Sequence, residues 1–312
     1  DLLPQNCCLV LNNTRVLPAR LLGHRAGGGE IEALLVTEEF PGTWSALVRK
    51  AGRIKPGERL QFFEGKLFAR ALERNEEGHW LLEFVEAERL SENLEQFGLP
   101  PLPPYIKRKK PKEEQILQDR ERYQTCYASV PGAIAAPTAG LHFTPEVLNA
   151  IQNRGIRIFE LTLHVGLGTF TGVEDPDLRK HHMHSEHFQI SEEVLQELLE
   201  MKKQGNPVIA VGTTVVRVLE SLAQEGFQRF SGWTDIFIYP PYEFQMVDGL
   251  LTNFHLPKST LLMLVSSFSG RTPLLQAYSE AIKQRYRFFS YGDCMLLLRT
   301  PFLWNSETER VE

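Results

Sequence analysis

The sequence has no long hydrophobic run. The longest candidate, LLMLV at 261–265, is the size of a core element, far short of the roughly 20 residues a membrane helix needs. No secretory-type apolar region opens the chain. Cysteine is scarce: Cys7, Cys8, Cys126 and Cys294 show neither the spacing of a disulfide framework nor that of a zinc site. Cys7 and Cys8 are adjacent and poorly placed to close a loop. A cytoplasmic, reducing location with no membrane partner is the expectation. A dinucleotide fingerprint is also lacking. The turn GLGTF at 166–170 has no third glycine and no acidic residue at the right distance on a following strand, which argues against a Rossmann-type cofactor site.

What is present is ordinary globular composition, 42% apolar and 23% charged, over 312 residues, a length that favours two domains. The net charge of −5 argues against nucleic acid only while the chain is taken whole. Residues 1–112 carry 17 Lys and Arg against 15 Asp and Glu, whereas residues 113–312 carry 17 against 24. The run KRKKPK from Lys107 to Lys112 holds five cations in six positions, and Arg49, Lys50, Arg53, Lys55 and Arg59 form a second cluster. Phosphate binding depends on local basic surface, so an RNA-binding face is compatible with an acidic chain. A solvated loop is the competing reading.

Two textures divide the chain. From about Val10 to Val85, short alternating runs (IEALLV, WSALV, RLQFF, WLLEFV) are separated by turns, which suggests a small β-barrel or sandwich. Gly27, Gly28 and Gly29 join two such runs and read as a hairpin turn. The segment LPPLPPYIKRKKPKEE at 99–114 has the composition of a linker or exposed loop. After it, buried strands (IRIFELTLHVG, PVIAVG, TDIFIYP, CMLLL) alternate with helices opened at Thr144-Pro145, Ser191, Thr213/Thr214 and Thr272-Pro273, the pattern of an α/β domain.

Polar residues gather where these strands end. VGTTVVR passes from strand through Gly212, Thr213 and Thr214 into a helix, whose first N–H groups favour a carboxylate or phosphate. TNFHLPKST brings Asn253, His255, Lys258, Ser259 and Thr260 to a similar entry. APTAGLHFT supplies Thr138, Gly140, His142 and Phe143; LHVGLGTF supplies His164, Gly166, Gly168, Thr169 and Phe170. Each alone reads as capping and turn chemistry. Together they suit a shared site outside the carboxyl ends of the strands, where open α/β sheets bind ligands. The stretch HHMHSEH at 181–187, read as extended, places His182, His184 and Glu186 on one face and His181, Met183 and His187 on the other. Metal binding, proton transfer or substrate hydrogen bonding, and an exposed strand edge are all open readings of that face.

The ordered motifs NNTRVLPAR, PLPPYIKR, YQTCYA, AAPTAGLHFT, LHVGLGTF, HHMHSE, VIAVGTT, TNFHLPKSTLLMLVSSF and YRFFSYGD make the chain resemble, over nearly its whole length, the S-adenosylmethionine:tRNA ribosyltransferase-isomerase family of queuosine biosynthesis. The resemblance implies a discontinuous α/β domain with an inserted small β-barrel domain. Residues 1–11 and 112–312 are then the S-adenosylmethionine-binding catalytic domain, and residues 12–111 the tRNA-contacting barrel. The reaction it implies moves the ribosyl part of S-adenosylmethionine onto 7-aminomethyl-7-deazaguanine at the tRNA wobble position, giving epoxyqueuosine, adenine and methionine. No cofactor or metal is implied; S-adenosylmethionine is a substrate, and a monomer is expected. The family pattern His-x-Met-His-x-Glu falls on His181, Met183, His184 and Glu186, leaving His182 and His187 outside it, and the metal reading falls away. A tRNA-binding module without catalysis and a metal-dependent hydrolase built on His181–His187 are the alternatives.

Within that reading His184 and Glu186 are the expected proton-transfer pair. Asp293 is a second acid/base candidate whose competing reading is a turn residue. His142, His164 and His255 are expected to orient substrate or to be core histidines. Thr213, Thr214 and the Lys258-Ser259-Thr260 helix start are candidates for the methionine carboxylate or a tRNA phosphate. Arg15, Arg20, Tyr105, Lys107 and Arg108 are expected to contact RNA, an aromatic beside cations suiting an unstacked loop. The sequence departs from the family in two places. Pro241 stands where glycine is usual, which removes a left-handed turn there. The family also carries a few dozen residues before the segment with which this chain begins, so the α/β domain is expected to lack its opening elements.

Overall fold

The structure is a computed structural model and describes residues 2–50, 54–76, 78–103, 105, 106, 108, 112–166 and 177–299. In chain order the elements are β1 (Cys8–Asn12), β2 (Thr14–Val16), β3 (Arg20–Arg25), β4 (Glu30–Phe40), β5 (Thr43–Arg49), β6 (Arg59–Phe62), β7 (Leu67–Arg74), β8 (Trp80–Phe84), α1 (Leu90–Phe97), α2 (Glu113–Arg122) and β9 (Val130–Ala133). They continue with α3 (Pro145–Asn153), β10 (Arg157–Leu163), β11 (Glu186–Gln189), α4 (Glu192–Lys203), β12 (Val208–Val211), α5 (Thr213–Gln224), β13 (Ser231–Thr234), β14 (Gly249–Asn253), α6 (Thr260–Ser269), α7 (Arg271–Lys283) and β15 (Cys294–Leu298). Two compact units result: one of residues 1–14, 125–130 and 136–312, the other of residues 15–124 and 131–135.

The first unit is an α/β sheet of seven strands in the order β13-β11-β10-β1-β12-β14-β15. β1, β10, β12 and β14 run parallel; β11, β13 and β15 are each antiparallel to the neighbour that attaches them. Strands covered on both faces have to be apolar throughout, and CLVLN and VIAV are buried at every position. The helices start where local chemistry predicts. Thr144 accepts from the Val147 N–H with Pro145 in the first turn, and Ser191 accepts from the Val194 N–H ahead of Glu192 and Glu193. α5 is buried along nearly its whole length although it carries Arg217 and Glu220. Glu220 accepts the N–H groups of Gln245, Met246 and Val247 at 2.9, 3.0 and 3.0 Å, which fixes the chain entering β14.

The second unit is a closed barrel, β3-β4-β5-β8-β7-β6, as its alternating runs predict. Inward positions pair small residues (Ala33, Ala46, Ala69, Ala71) with large ones (Phe62, Trp80, Phe84), which fills a barrel too narrow for a lumen. The glycine run at 27–29 lies in the β3–β4 hairpin turn.

Four local expectations need correction. The run TDIFIYP is not a strand; the strand lies just upstream at Ser231–Thr234, and Arg217 takes the carbonyls of Thr234 (3.2 Å) and Ile236 (3.3 Å) that a ladder would have used. LLMLV lies inside α6, whose cap at Ser259 agrees with the helix start expected at Lys258-Ser259-Thr260. α7 begins one residue before Thr272, leaving Pro273 in the first turn, where its missing N–H costs nothing. Over residues 99–103 the proline-rich segment is not an exposed linker: Leu99 exchanges backbone hydrogen bonds with Arg20 (3.1 and 2.9 Å), and Pro101 and Pro103 are buried. The barrel-containing unit also runs beyond residue 111, through α2 to residue 124.

Candidate active site

Strand order reverses at β1: the chain next adds β10 on one side, then β12 and β14 on the other. Crevices at such reversals, outside the carboxyl ends of parallel strands, are where α/β sheets receive ligands. Asn12 ends β1 there. Its side-chain oxygen accepts the N–H groups of Leu163 (3.0 Å) and Thr14 (3.2 Å), and its amide nitrogen donates to the Leu163 carbonyl (3.0 Å) and Thr214 Oγ1 (3.4 Å). One buried amide thus ties together the ends of β1 and β10 and the start of α5. Thr213 and Thr214 form the first turn of α5 and are buried.

Beside this knot, His164 Nδ1 lies 2.8 Å from Thr14 Oγ1, and its ring stacks on His187, which meets Trp233 edge-on. Burial, and secondarily the neighbouring His187, push the His164 imidazole below its ordinary pKa, so it is neutral near pH 7. Gly166 N–H donates to Glu186 Oε1 at 2.9 Å, and Glu186 Oε2 pairs with the Arg217 guanidinium. Both partners are about 95% or more buried, so the pair is held out of water and fixes the turn after β10 against α5. Glu186 is therefore an anchored carboxylate, committed to a cation and a backbone N–H. His184, two residues earlier, is exposed and hydrogen-bonds to none of the described residues. His181 packs against Phe237 at 4.9 Å.

A second knot forms at the end of β14. Asn253 accepts from Thr138 Oγ1 (3.0 Å) and presents its amide nitrogen to His142 Nε2 (2.9 Å) and the Phe289 carbonyl (3.4 Å). With a donor facing Nε2, the neutral His142 ring carries its proton on Nδ1. Burial lowers the pKa of His142, which agrees with that state. Asp293 accepts the Arg287 N–H at 2.6 Å, and this bond holds its carboxyl below the usual carboxylate range. The turn reading of Asp293 thus describes its contacts: it closes the loop leading to β15. His255 sets Nε2 2.8 Å from Thr252 Oγ1, its backbone N–H donates to Tyr278 Oη (2.7 Å), and burial pushes the imidazole pKa down to about 4. Ser259 caps α6, Thr260 is buried beneath it, and Lys258 is exposed with φ 61°.

Gly140 and Phe143 serve packing. A Cβ on Gly140 would lie 2.0 Å from the Tyr127 hydroxyl, and Phe143 belongs to the apolar cluster under β1 and β12. Gly168, Thr169 and Phe170, with Lys107 of the basic run, lie outside the described residues. In the barrel-containing unit the expected RNA cations have carboxylate partners: Arg20 is bidentate to Glu32 (3.0 and 3.0 Å), Arg108 is bidentate to Asp119 (2.8 and 2.8 Å), and Arg15 reaches Glu95 at 3.4 Å. Of these, Arg15 is the one left about half-exposed, and Tyr105 is 39% exposed. Among the described residues no three His, Cys, Asp or Glu side chains group closely enough to hold a metal ion, and no helix is long and apolar enough to cross a membrane.

Asn12 and Arg217 were not singled out from sequence, although both carried a signal. Asn12 ends an apolar strand, and Arg217 interrupts the apolar run VVRVL, where a buried charge requires a partner.

A family model described as queuosine biosynthesis protein matches residues 1–297. A protein of Natranaerobius thermophilus named S-adenosylmethionine:tRNA ribosyltransferase-isomerase is 50% identical over 292 residues, covering 92% of this chain and 83% of its own. One of the same name from Acetivibrio thermocellus is 50% identical over 293 residues, covering 93% and 84%. A crystal structure of S-adenosylmethionine tRNA ribosyltransferase from Thermotoga maritima is 37% identical, covering 95% of this chain and 84% of its own, with a TM-score of 0.47.

Proposed function

The chain belongs to the queuosine biosynthesis protein family, and from that membership we infer that it is an S-adenosylmethionine:tRNA ribosyltransferase-isomerase. It moves the ribosyl moiety of S-adenosylmethionine onto 7-aminomethyl-7-deazaguanine at the tRNA wobble position and isomerises it to epoxyqueuosine, with adenine and methionine leaving. The observation that carries this reading is the identity of half the residues, across more than nine-tenths of the chain, with proteins of that name. The sheet edge supports it, since it gathers Thr138, His142, His164, Glu186, Thr213, Thr214, Asn253, His255 and Asp293 from separate segments of one unit. The expected setting is the cytoplasm and the expected form a monomer.

S-adenosylmethionine brings its own activation. The sulfonium acidifies the adjacent 5′-carbon protons and makes methionine a good leaving group. The protein has to take a proton, assist adenine departure and hold two substrates in line, and alignment alone can supply several kcal/mol. His184, exposed like His182 but lying within the family pattern, is assigned the proton. Glu186, bound to Arg217 and Gly166, positions the 164–166 turn rather than carrying protons. The neutral His142, His164 and His255 orient substrate groups by hydrogen bonding. The first turn of α5 at Thr213 and Thr214 is assigned the methionine carboxylate.

The test is adenine and methionine release on mixing the protein with S-adenosylmethionine and precursor tRNA. His184→Ala is expected to lower turnover by roughly 10²- to 10⁴-fold with tRNA binding retained. Wild-type turnover in that variant removes His184 from the mechanism, and absence of product with wild-type protein overturns the reading.

A further inference from the structure

The segment RYRFFSYGD, Arg285–Asp293, joins α7 to β15 and interleaves two guanidinium groups with four rings. Phe288 faces inward and packs with Phe254 (5.0 Å) and Tyr278 (5.7 Å). Of the other rings, Tyr286 meets Phe254 edge-on at 5.9 Å and is 48% exposed, while Phe289 is 37% and Tyr291 38% exposed. A flexible loop would fold such rings away; this one is braced. Arg287 and Asp293 exchange backbone and side-chain bonds (2.7 and 2.6 Å), and Gly292 donates to the Phe289 carbonyl (3.0 Å). A Cβ on Gly292 would lie 2.3 Å from the Arg287 carbonyl oxygen, so the closure admits no larger residue. Phe289 is held at φ 74°, a conformation costly for a bulky side chain and one that persists where surrounding structure imposes it.

Charge and position complete the picture. Residues 271–293 carry four Lys and Arg (Arg271, Lys283, Arg285, Arg287) against two acids (Glu280, Asp293), in a chain of net charge −5. Glu280 is itself paired with Lys283 at 3.6 Å and Asp293 with Arg287 at 3.4 Å, an exposed pair in which the Arg287 side chain stays 76% exposed. Through its carbonyl Phe289 is bonded to Asn253, the residue that holds His142, so the displayed rings adjoin the second knot of the sheet edge.

We propose that Phe289 and Tyr291, flanked by Arg285 and Arg287, form the platform on which one unstacked nucleotide of the tRNA is held beside the catalytic edge. The proposal rests on the function inferred above and adds to it an RNA subsite on the α/β unit. Rings take a nucleobase face without regard to sequence, and adjacent arginines take its phosphates. The adenosine of S-adenosylmethionine also has a purine face but no phosphate, and its methionine carboxylate is assigned above to the first turn of α5, which leaves the two guanidinium groups to RNA; RNA uses both parts of the loop.

The experiment uses the whole chain, precursor tRNA and S-adenosylmethionine, with KM measured separately for each substrate and tRNA affinity measured alone. Phe289→Gly removes the ring while relieving the backbone, so the fold is preserved; a thermal scan checks this. It is expected to weaken tRNA binding by about 5- to 150-fold, the range for loss of one stacked base, with KM for S-adenosylmethionine unmoved. Tyr291→Leu is expected to act in the same direction and Tyr291→Phe to retain affinity. Arg287→Gln is expected to reduce the slope of log affinity against log salt by about 0.7. A rise in KM for S-adenosylmethionine with tRNA affinity unchanged overturns the proposal and gives the rings to the adenosine. No change in either overturns it as well. Absence of turnover in the wild type overturns the parent reading, whereas normal wild-type turnover with unaltered Phe289→Gly removes the platform alone.

Discussion

Lowering the pH from 7.5 to 5.0 should destabilise the protein through His255, by an amount the structure sets. The imidazole is largely buried with Thr252 as its polar neighbour and, among the described residues, no acidic partner, and burial takes its pKa from 6.5 to about 4. At pH 7.5 the ring is neutral folded and unfolded, so the linkage is negligible. At pH 5.0 the unfolded ring is almost fully protonated and the folded ring mostly neutral. The unfolded chain then binds more protons, and stability falls with pH, by about 2 kcal/mol from this residue. The loss begins near 6.5 and is complete near 4. Urea unfolding of the wild type and His255→Gln at the two pH values isolates the contribution, because the subtraction removes His142 and His164, whose shifts act in the same direction. The variant should lose about 2 kcal/mol less on acidification than the wild type. An equal acid loss in both proteins would show that His255 titrates normally and that the burial assigned to it is wrong.

Glu186→Gln and Arg217→Met should each destabilise by about 3–5 kcal/mol, because each strands a buried charge, while the double variant should lose less than the sum; a double-mutant cycle by urea unfolding checks this. Gly140→Ala should cost about 1–3 kcal/mol, read as a drop in unfolding midpoint, since the new methyl meets the Tyr127 hydroxyl at 2.0 Å. Arg108→Gln should lower stability by about 1–3 kcal/mol through loss of its bidentate bond to Asp119, and lower it much less in an Asp119→Asn background. Equal losses in both backgrounds would show that the pair is not the source.

The barrel and the parallel sheet were legible because burial leaves periodic marks: period-two alternation in RLQF and WLLEF, unbroken apolar runs in CLVL and VIAV. Helix starts at Thr144 and Ser191 followed from capping, which is local. Contacts made at long range were not legible. Arg20 and Arg108 have the composition of RNA contacts, and nothing in their neighbourhoods announces that Glu32 and Asp119 will occupy them. The TDIFIYP run has strand composition, yet Arg217 takes its carbonyls from a helix nearly twenty residues upstream. The placement of the histidine-bearing segments at strand ends could be anticipated from the alternation of strands and helices. Asn253 was marked by the sequence and Asn12 was not, and what either asparagine organises became evident only from the register, which brings Leu163 and Thr214 to Asn12, and Thr138 and His142 to Asn253.

The position of β1 has a kinetic consequence. Its two sheet neighbours are β10 and β12, so during synthesis Cys8–Asn12 leaves the ribosome long before either partner exists. At roughly 5–20 residues per second, the wait for Arg157–Leu163 is about 7–30 s, time in which the intervening barrel can complete its own local hairpins. A strand apolar except for Asn12 then stands unpaired beside an already folded neighbour. Mutations that slow barrel closure would therefore be felt as aggregation of the nascent chain before any loss of catalysis could be measured.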